Sequence, residues 1–177
     1  MTEDGLKQRL AKTPNFDAKR IDSVIKAYRK ADPTGTPWKL YLTMVSDAGM
    51  RAGSITIADR KSAQKAPVFM YLFDWETPLM GGNMFTMHTL EIPFVFGSIK
   101  KCTYMVPDNA ETQGLSERMM AAWAAFARTG NPNTPKLPTW PTYDAKSRST
   151  MILDIESHVE KNPDHEARMA YAKATKA

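Results

Sequence analysis

Between Pro67 and Gly97 the chain reads PVFMYLFDWETPLMGGNMFTMHTLEIPFVFG, and this stretch restricts the fold more than any other. A run that is apolar at every position from Val68 to Phe73, led by a proline and rich in aromatic and β-prone residues, predicts a strand buried on both faces. Pro67 suits the first position of such a strand, where no ladder donor is required. The chain then turns irregular and glycine-bearing at Gly81 and Gly82, reaches His88, and enters a second apolar block from Leu90 to Phe96. An imidazole on a loop just past a buried strand sits where α/β enzymes carry working side chains, because the rigid sheet fixes the root of the loop. The same spacing is met by a loop histidine that only hydrogen-bonds its neighbours. Asp74 and Glu76, at the strand's end, read as solvated loop carboxylates.

The sequence on either side is mostly helical. Thr2 caps a short helix running to Lys12. From Asp17 to Lys30, Ile21, Val24, Ile25 and Tyr28 fall at i, i+3, i+4 and i+7, one face of an amphipathic helix. Thr36-Pro37 supplies an N-cap followed by proline at the first helical position, for a helix to about Ala48. A further helical stretch after Gly49 leads to the strand. Downstream, residues 98 to 114 read as a polar loop with a Pro-Asp-Asn turn. Leu115, Met119, Ala122, Trp123 and Phe126 mark a second amphipathic helix, stopped by Arg128 and Gly130. The run NPNTPKLPTWPTYD is a proline-rich surface crossing pinned by Trp140 and Tyr143. A short edge strand over Met151 to Ile155 and a final helix from Asn162-Pro163 through Lys173 complete the chain.

The string FDW…HTLEIPFVFG, with WAAFARTGNPN and LPTWPTYD further on, resembles the C-terminal part of the type-B carboxylesterases, α/β-hydrolases that include para-nitrobenzyl esterases and cholinesterases. The resemblance covers nearly the whole chain and is strongest from Pro67 to Tyr143. It implies an α/β fold: the C-terminal part of an α/β-hydrolase, mostly helices with two short strands of an incomplete sheet. It also makes Thr89 to Phe96 a short helix, where propensity alone predicts a strand. The expected organisation is one C-terminal portion of such a domain: a helical segment over 1–66, the strand and histidine loop over 67–97, and helix, proline-rich loop, edge strand and C-terminal helix over 98–177.

In the family the histidine of the H-x-x-E-[IL]-P-F-V-F motif is the catalytic base, and the match puts that role on His88. Glu91, one helical turn on, invites a dyad reading, but the resemblance makes it a structural residue that ties the histidine loop down. Phe85 and Met87 flank the base, positioned either to touch the acyl or alcohol group of a substrate or simply to pack the loop. The implied function is hydrolysis of a small-molecule carboxylic ester; the alternative is a non-catalytic binding or adhesion module, since the family is similar to neuroligin-type proteins.

The rest of a catalytic triad is harder to find. α/β-Hydrolases carry Ser, then Asp or Glu, then His in chain order, with the serine in a G-x-S-x-G elbow. Ser116 in GLSER and Ser54 in AGSIT both fail that pattern. Glu3 in TEDG faintly echoes the acid motif, but LKQRLAK runs straight on as the helix expected after the acid loop. The chain is therefore expected to carry the base without the nucleophile, to be inactive alone, and to need the missing N-terminal portion or a partner chain.

Other functions find little support. A net charge of +5, spread through helical segments, points to no nucleic-acid partner. The longest uncharged apolar run, MMAAWAAFA, is too short to span a bilayer. The one cysteine, Cys102, forms no internal disulfide or C-x-x-C site. His158 and His165, on either side of Pro163, lack metal-ligand spacing. Gly81-Gly82 lacks the lysine of a phosphate loop. No metal and no cofactor is implied. No secretory n- and h-region stands at Met1, and the compartment stays open.

Overall fold

The computed structural model describes residues 1–175. The chain divides into two compact units, residues 1–57 with the segment from Pro163 onward, and Ala58–Asn162; the first boundary falls inside a helix.

The first unit is helical. Thr2 caps α1 (Glu3–Ala11), its hydroxyl accepting from the Gly5 N–H at 3.1 Å. A short 3₁₀ turn leads into α2 (Ile21–Ala31), which buries Val24, Ile25 and Tyr28, three of the four positions its periodicity marks. Thr36 and Pro37 start α3 (Pro37–Ser46) as expected. The break expected near Gly49 is instead a π-helical turn, Asp47–Arg51, that runs on into α4 (Ala52–Ser62). Leu6 and Leu10 of α1, Val24 of α2, Leu40 and Met44 of α3 and Ala174 of α7 (His165–Ala174) share one core.

The π turn places a carboxylate inside this unit. Asp47 is 5% exposed; it accepts from the Tyr28 hydroxyl at 2.8 Å and from Arg51 Nη1 at 3.1 Å. Arg51 also donates to Asp164 Oδ2 at 2.9 Å and to the Pro163 carbonyl at 3.1 Å, so one guanidinium clasps the start of α7. Burial pushes the Asp47 carboxyl above its ordinary range, against the pull of Arg51 and Tyr28. The Tyr28 hydroxyl is pushed up too, first by burial and then by Asp47.

The second unit holds the sheet. β1 (Met70–Phe73) pairs parallel with β2 (Ser149–Leu153), Met70 opposite Thr150 and Phe73 opposite Leu153. β2 pairs antiparallel with β3 (His158–Lys161), Ser149 opposite Lys161. Among the described residues the sheet thus has three strands in the order β1-β2-β3, one more than the sequence suggests, and the segment expected as an edge strand is its middle strand. β3 escapes notice because HVEK is short, polar and exposed at three of its four positions. Burial on both faces belongs to β2, not to β1: every residue of β2 is buried, whereas Met70 and Leu72 are half-buried and Tyr71 is 37% exposed. β1 is an edge strand here, with β2 on one side only, so its apolar side chains are covered in part.

The polar loop expected over 98–114 ends early. Asn109 and Thr112 form a reciprocal capping box (3.0 and 3.2 Å) that starts α6 (Ala110–Thr129) four residues before Gly114. Gly130 closes the helix in the left-handed conformation, φ 74°. The proline-rich crossing is pinned as expected. Trp140 Nε1 donates to the Met70 carbonyl at 3.1 Å, the Tyr143 N–H donates to the Val68 carbonyl at 2.7 Å, and the Tyr143 hydroxyl donates to Asp59 at 2.6 Å.

The uncovered edge of β1 and the exposed Phe96 (74%) and Ile92 (43%) of the neighbouring helical segment favour association. The 177-residue chain on its own is expected to elute as oligomers in size-exclusion chromatography with light scattering. A sharp monomer peak is the contrary result.

Candidate active site

The loop after β1 is built to hold one exposed turn at a fixed place. The Asp74 N–H donates to the Leu153 carbonyl at 3.0 Å, continuing the β1–β2 ladder by one step. Trp75 then turns inward, 7% exposed, with its ring centroid 5.1 Å from that of Phe94. Thr77 is 1% exposed: its hydroxyl donates to the Met105 carbonyl at 2.7 Å, and its N–H donates to the Phe85 carbonyl at 3.3 Å. Thr86 donates to the Trp75 carbonyl at 3.0 Å. Residues 75–77 and 85–86 are thereby laced together, and the segment between them is free to bulge outward. Met80, Gly81 and Gly82 make that bulge with three successive positive φ values (54°, 66° and 73°). The two glycines take this conformation without the steric penalty that Met80 meets.

His88 follows the laced segment and is exposed. Directly after it the chain is locked. Leu90 is completely buried, and its N–H donates to the Met87 carbonyl at 3.1 Å. The short helix α5 (Ile92–Val95) buries Phe94, whose carbonyl accepts from the Ser116 hydroxyl of α6 at 2.8 Å. The helix expected over 89–96 is thus present, with a turn ahead of it. Thr89, a β-branched residue at φ 73°, donates through its hydroxyl to the His88 carbonyl. This is a rare conformation for such a residue, held by the packed segment on its C-terminal side. The His88 ring makes no side-chain hydrogen bond or ion pair among the described residues.

The other residues singled out in the sequence fall as follows. Glu91 is half-buried. Its carbonyl accepts from the N–H groups of Phe94 (3.1 Å) and Val95 (3.0 Å), and no hydrogen bond joins it to His88 among the described residues. Its carboxylate adds to burial in raising the pKa of Tyr71. Phe85 (φ 50°) and Met87 are half-buried, and Met87 packs against the core. Asp74 and Glu76 are exposed. Ser116 is fully buried on α6, and Ser54 lies on α4, so neither stands at a strand-to-helix elbow. Glu3 lies in the first turn of α1, paired with Arg29.

The remaining histidines are on the surface. His158 is raised above its ordinary pKa, first by the Glu156 carbonyl and then by Glu160, whose carboxylate lies 3.0 Å from Nε2. His165 is exposed at the start of α7. Cys102 is a half-buried free thiol. No group of three metal-ligating side chains forms among the described residues, and none of their helices is long and apolar enough to cross a membrane.

Thr77 and Thr86, which fix the loop, are not marked by the sequence, and Ser116 is marked only as a serine outside an elbow, not as an anchor. Each acts through a side chain-to-backbone bond spanning 11 to 28 residues, for which periodicity and spacing carry no signal.

The fold has counterparts among solved structures. The carboxylesterase of Geobacillus stearothermophilus superposes with a TM-score of 0.74 at 30% identity, covering 94% of this chain and 34% of that one. An esterase from Clostridium hathewayi that can hydrolyse aliphatic aromatic polyesters gives the same TM-score at 25% identity over 98% of this chain and 33% of its own. The fold is accordingly that of part of an α/β-hydrolase esterase. The carboxylesterase family pattern matches residues 2–172, and the chain belongs to that family. It is 41% identical over 105 residues to the para-nitrobenzyl esterase of Bacillus subtilis, covering 58% of this chain and 21% of that protein. It is 30% identical over 157 residues to the phenmedipham hydrolase of Pseudarthrobacter oxydans, covering 81% of this chain and 31% of that protein. The chain thus spans about a fifth to a third of the length of the relatives it matches.

Proposed function

We propose that this chain supplies the general base, His88, of a serine carboxylesterase whose nucleophile and acid are contributed by sequence outside these 177 residues. The observation that carries this reading is an exposed imidazole, unpartnered among the described residues, on a turn locked on both sides by buried groups, the Thr77–Met105 bond before it and Leu90 and Phe94 after it. In that role the neutral ring takes the serine proton as the hydroxyl attacks the ester carbonyl, then returns it to the leaving alkoxide. A carboxylate orients the imidazole, and backbone N–H groups bind the oxyanion. Glu91 serves the turn, not the ring. Phe85 is the flanking side chain better placed for the substrate, since Met87 is committed to the core. The substrate class is a carboxylic ester, and the relationship to a para-nitrobenzyl esterase makes a para-nitrobenzyl ester the natural probe.

The test has two arms. The purified 177-residue chain is expected to show no hydrolysis of a para-nitrobenzyl ester above buffer. Adding the N-terminal portion of a family member, separately or fused, is expected to produce turnover. Hydrolysis by the chain alone that disappears in His88→Ala would reveal a nucleophile within these residues and overturn the proposal.

A further inference from the structure

We propose that the concavity bounded by α1, α3, the π turn and Tyr171 of α7 is a ligand site for a small carboxylate with an apolar tail. It encloses about 530 Å³, within the size range of small-molecule sites, and every residue lining it belongs to the first compact unit.

Its polar groups point to an anion. Arg9 and Lys12 contribute two cations, and no lining residue is acidic. Neither cation forms an ion pair or side-chain hydrogen bond among the described residues. The Arg9 guanidinium lies over the ring of Tyr41 at 5.4 Å and that of Trp38 at 5.8 Å, and the two rings are stacked on each other at 5.9 Å. These cation–π contacts leave the guanidinium's N–H groups available to a carboxylate. The backbone carbonyls at the end of α1 do not cancel this charge: those of Arg9 and Leu10 are taken by the N–H groups of Lys12 (3.1 Å) and Thr13 (3.0 Å).

The second, independent sign is Tyr171. It is 5% exposed, its ring held edge-on to Phe16 at 5.4 Å, yet its hydroxyl has no hydrogen-bond partner among the described residues. The ring is enclosed while the hydroxyl itself stays accessible at the wall of the concavity, where it is available to donate. The concavity is the space onto which Tyr171 opens, and a ligand oxygen there would accept from it. The Tyr41 hydroxyl, also unpartnered among the described residues, stands ready as a further donor.

The remaining wall selects the rest of the ligand. Pro14 and Val45, the latter 48% exposed, offer apolar surface that a bare inorganic anion would leave uncovered. A carboxylate matches the Arg9 fork bidentately, and its tail covers the apolar side. Ester hydrolysis, the chemistry of the family, releases such carboxylates.

The experiment is calorimetric titration of sodium octanoate into the 177-residue chain, with octanol and inorganic phosphate as parallel titrants. One saturable site per chain is expected, with a dissociation constant in the roughly micromolar-to-millimolar range. Octanol and phosphate should each bind at least about tenfold more weakly, the first lacking the charge and the second the tail. The exposed pair Arg9→Gln/Lys12→Gln should weaken octanoate about tenfold or more, and Tyr171→Phe about fivefold, with far-UV dichroism unchanged. His88→Ala should bind like the parent, which separates this site from the base assignment. Absence of saturable octanoate binding, equal binding of octanol or phosphate, or an unaffected Arg9/Lys12 double variant would each overturn the assignment.

Discussion

In an enzyme completed with the N-terminal portion, the proposed role of His88 predicts that His88→Ala will lower kcat/KM for a para-nitrobenzyl ester by about 10⁴- to 10⁶-fold. Without the imidazole the serine hydroxyl has no acceptor for its proton, and the leaving alkoxide has no donor; binding and the oxyanion hole supply only the residue of catalysis. The same substitution hardly touches folding. His88 is exposed and its ring unpartnered among the described residues, so the melting temperature should move by no more than a surface substitution moves it, within about 0.5 kcal/mol. Catalytic collapse with intact stability is the combination that identifies a base. His158→Ala and His165→Ala should leave turnover near the parent's. Steady-state kinetics alongside thermal melts decide the matter: comparable losses at all three histidines would mean the variants report on folding, and catalysis by His88→Ala near the parent's would remove the assignment.

The loop's anchors should behave in the opposite way. Thr77 and Ser116 are buried, and each donates its hydroxyl to one carbonyl of the loop or of the α5 segment that follows it. Removing the Thr77 hydroxyl leaves the Met105 carbonyl without that donor, and removing the Ser116 hydroxyl leaves the Phe94 carbonyl with only the long 3.4 Å bond from the Gly97 N–H, so both changes couple stability to the placement of His88.

The helices of the first unit are legible in the sequence because each boundary is chemically local. Thr2 and Thr36 both accept an N–H three residues on, and the period of Val24, Ile25 and Tyr28 marks the buried face of α2. His88 is singled out for a different reason, since the long ordered blocks around it resemble those of a family, and its proposed role awaits the kinetic test above. The failures are non-local. β1 is apolar at every position, yet it is only partly covered, because a strand's burial depends on what lies beside and above it. β3 is nearly all polar, and only the register with β2 makes it a strand. The π turn at Asp47–Arg51 interrupts the helical path without a proline, so the spacing there suggests no more than a weak joint. That turn nevertheless aims a carboxylate inward and a guanidinium across to α7.

Arg51→Met should therefore be the most destabilising change at a single charged position in the first unit. The substitution keeps much of the apolar stem but removes the partner of Asp47, whose side chain is 3% exposed, and releases Asp164 and the Pro163 carbonyl. Breaking one side of a buried pair costs about 3–5 kcal/mol, because the other charge stays behind without compensation. For a chain of this size that is about 10 °C or more in melting temperature. The direction of its pH dependence follows from the same groups. In the parent, burial raises the Asp47 pKa while Arg51 and Tyr28 pull it down; burial also opposes the charge on Arg51, but Asp47 and Asp164 outweigh it and hold Arg51 above its ordinary value. With Arg51 gone, only the Tyr28 hydroxyl still favours the Asp47 carboxylate, and its pKa climbs further above the unfolded value. The folded variant then binds a proton more tightly than the unfolded chain, so protonation favours folding. The deficit relative to the parent is full at neutral pH and narrows as the pH falls through the raised pKa of Asp47. Adding Asp47→Asn to Arg51→Met removes the stranded charge, and should recover part of the loss at neutral pH and flatten the pH dependence. Thermal melts of the three proteins at neutral and mildly acidic pH test this; a deficit that stays constant, or grows, on acidification would show that a stranded Asp47 charge is not its cause.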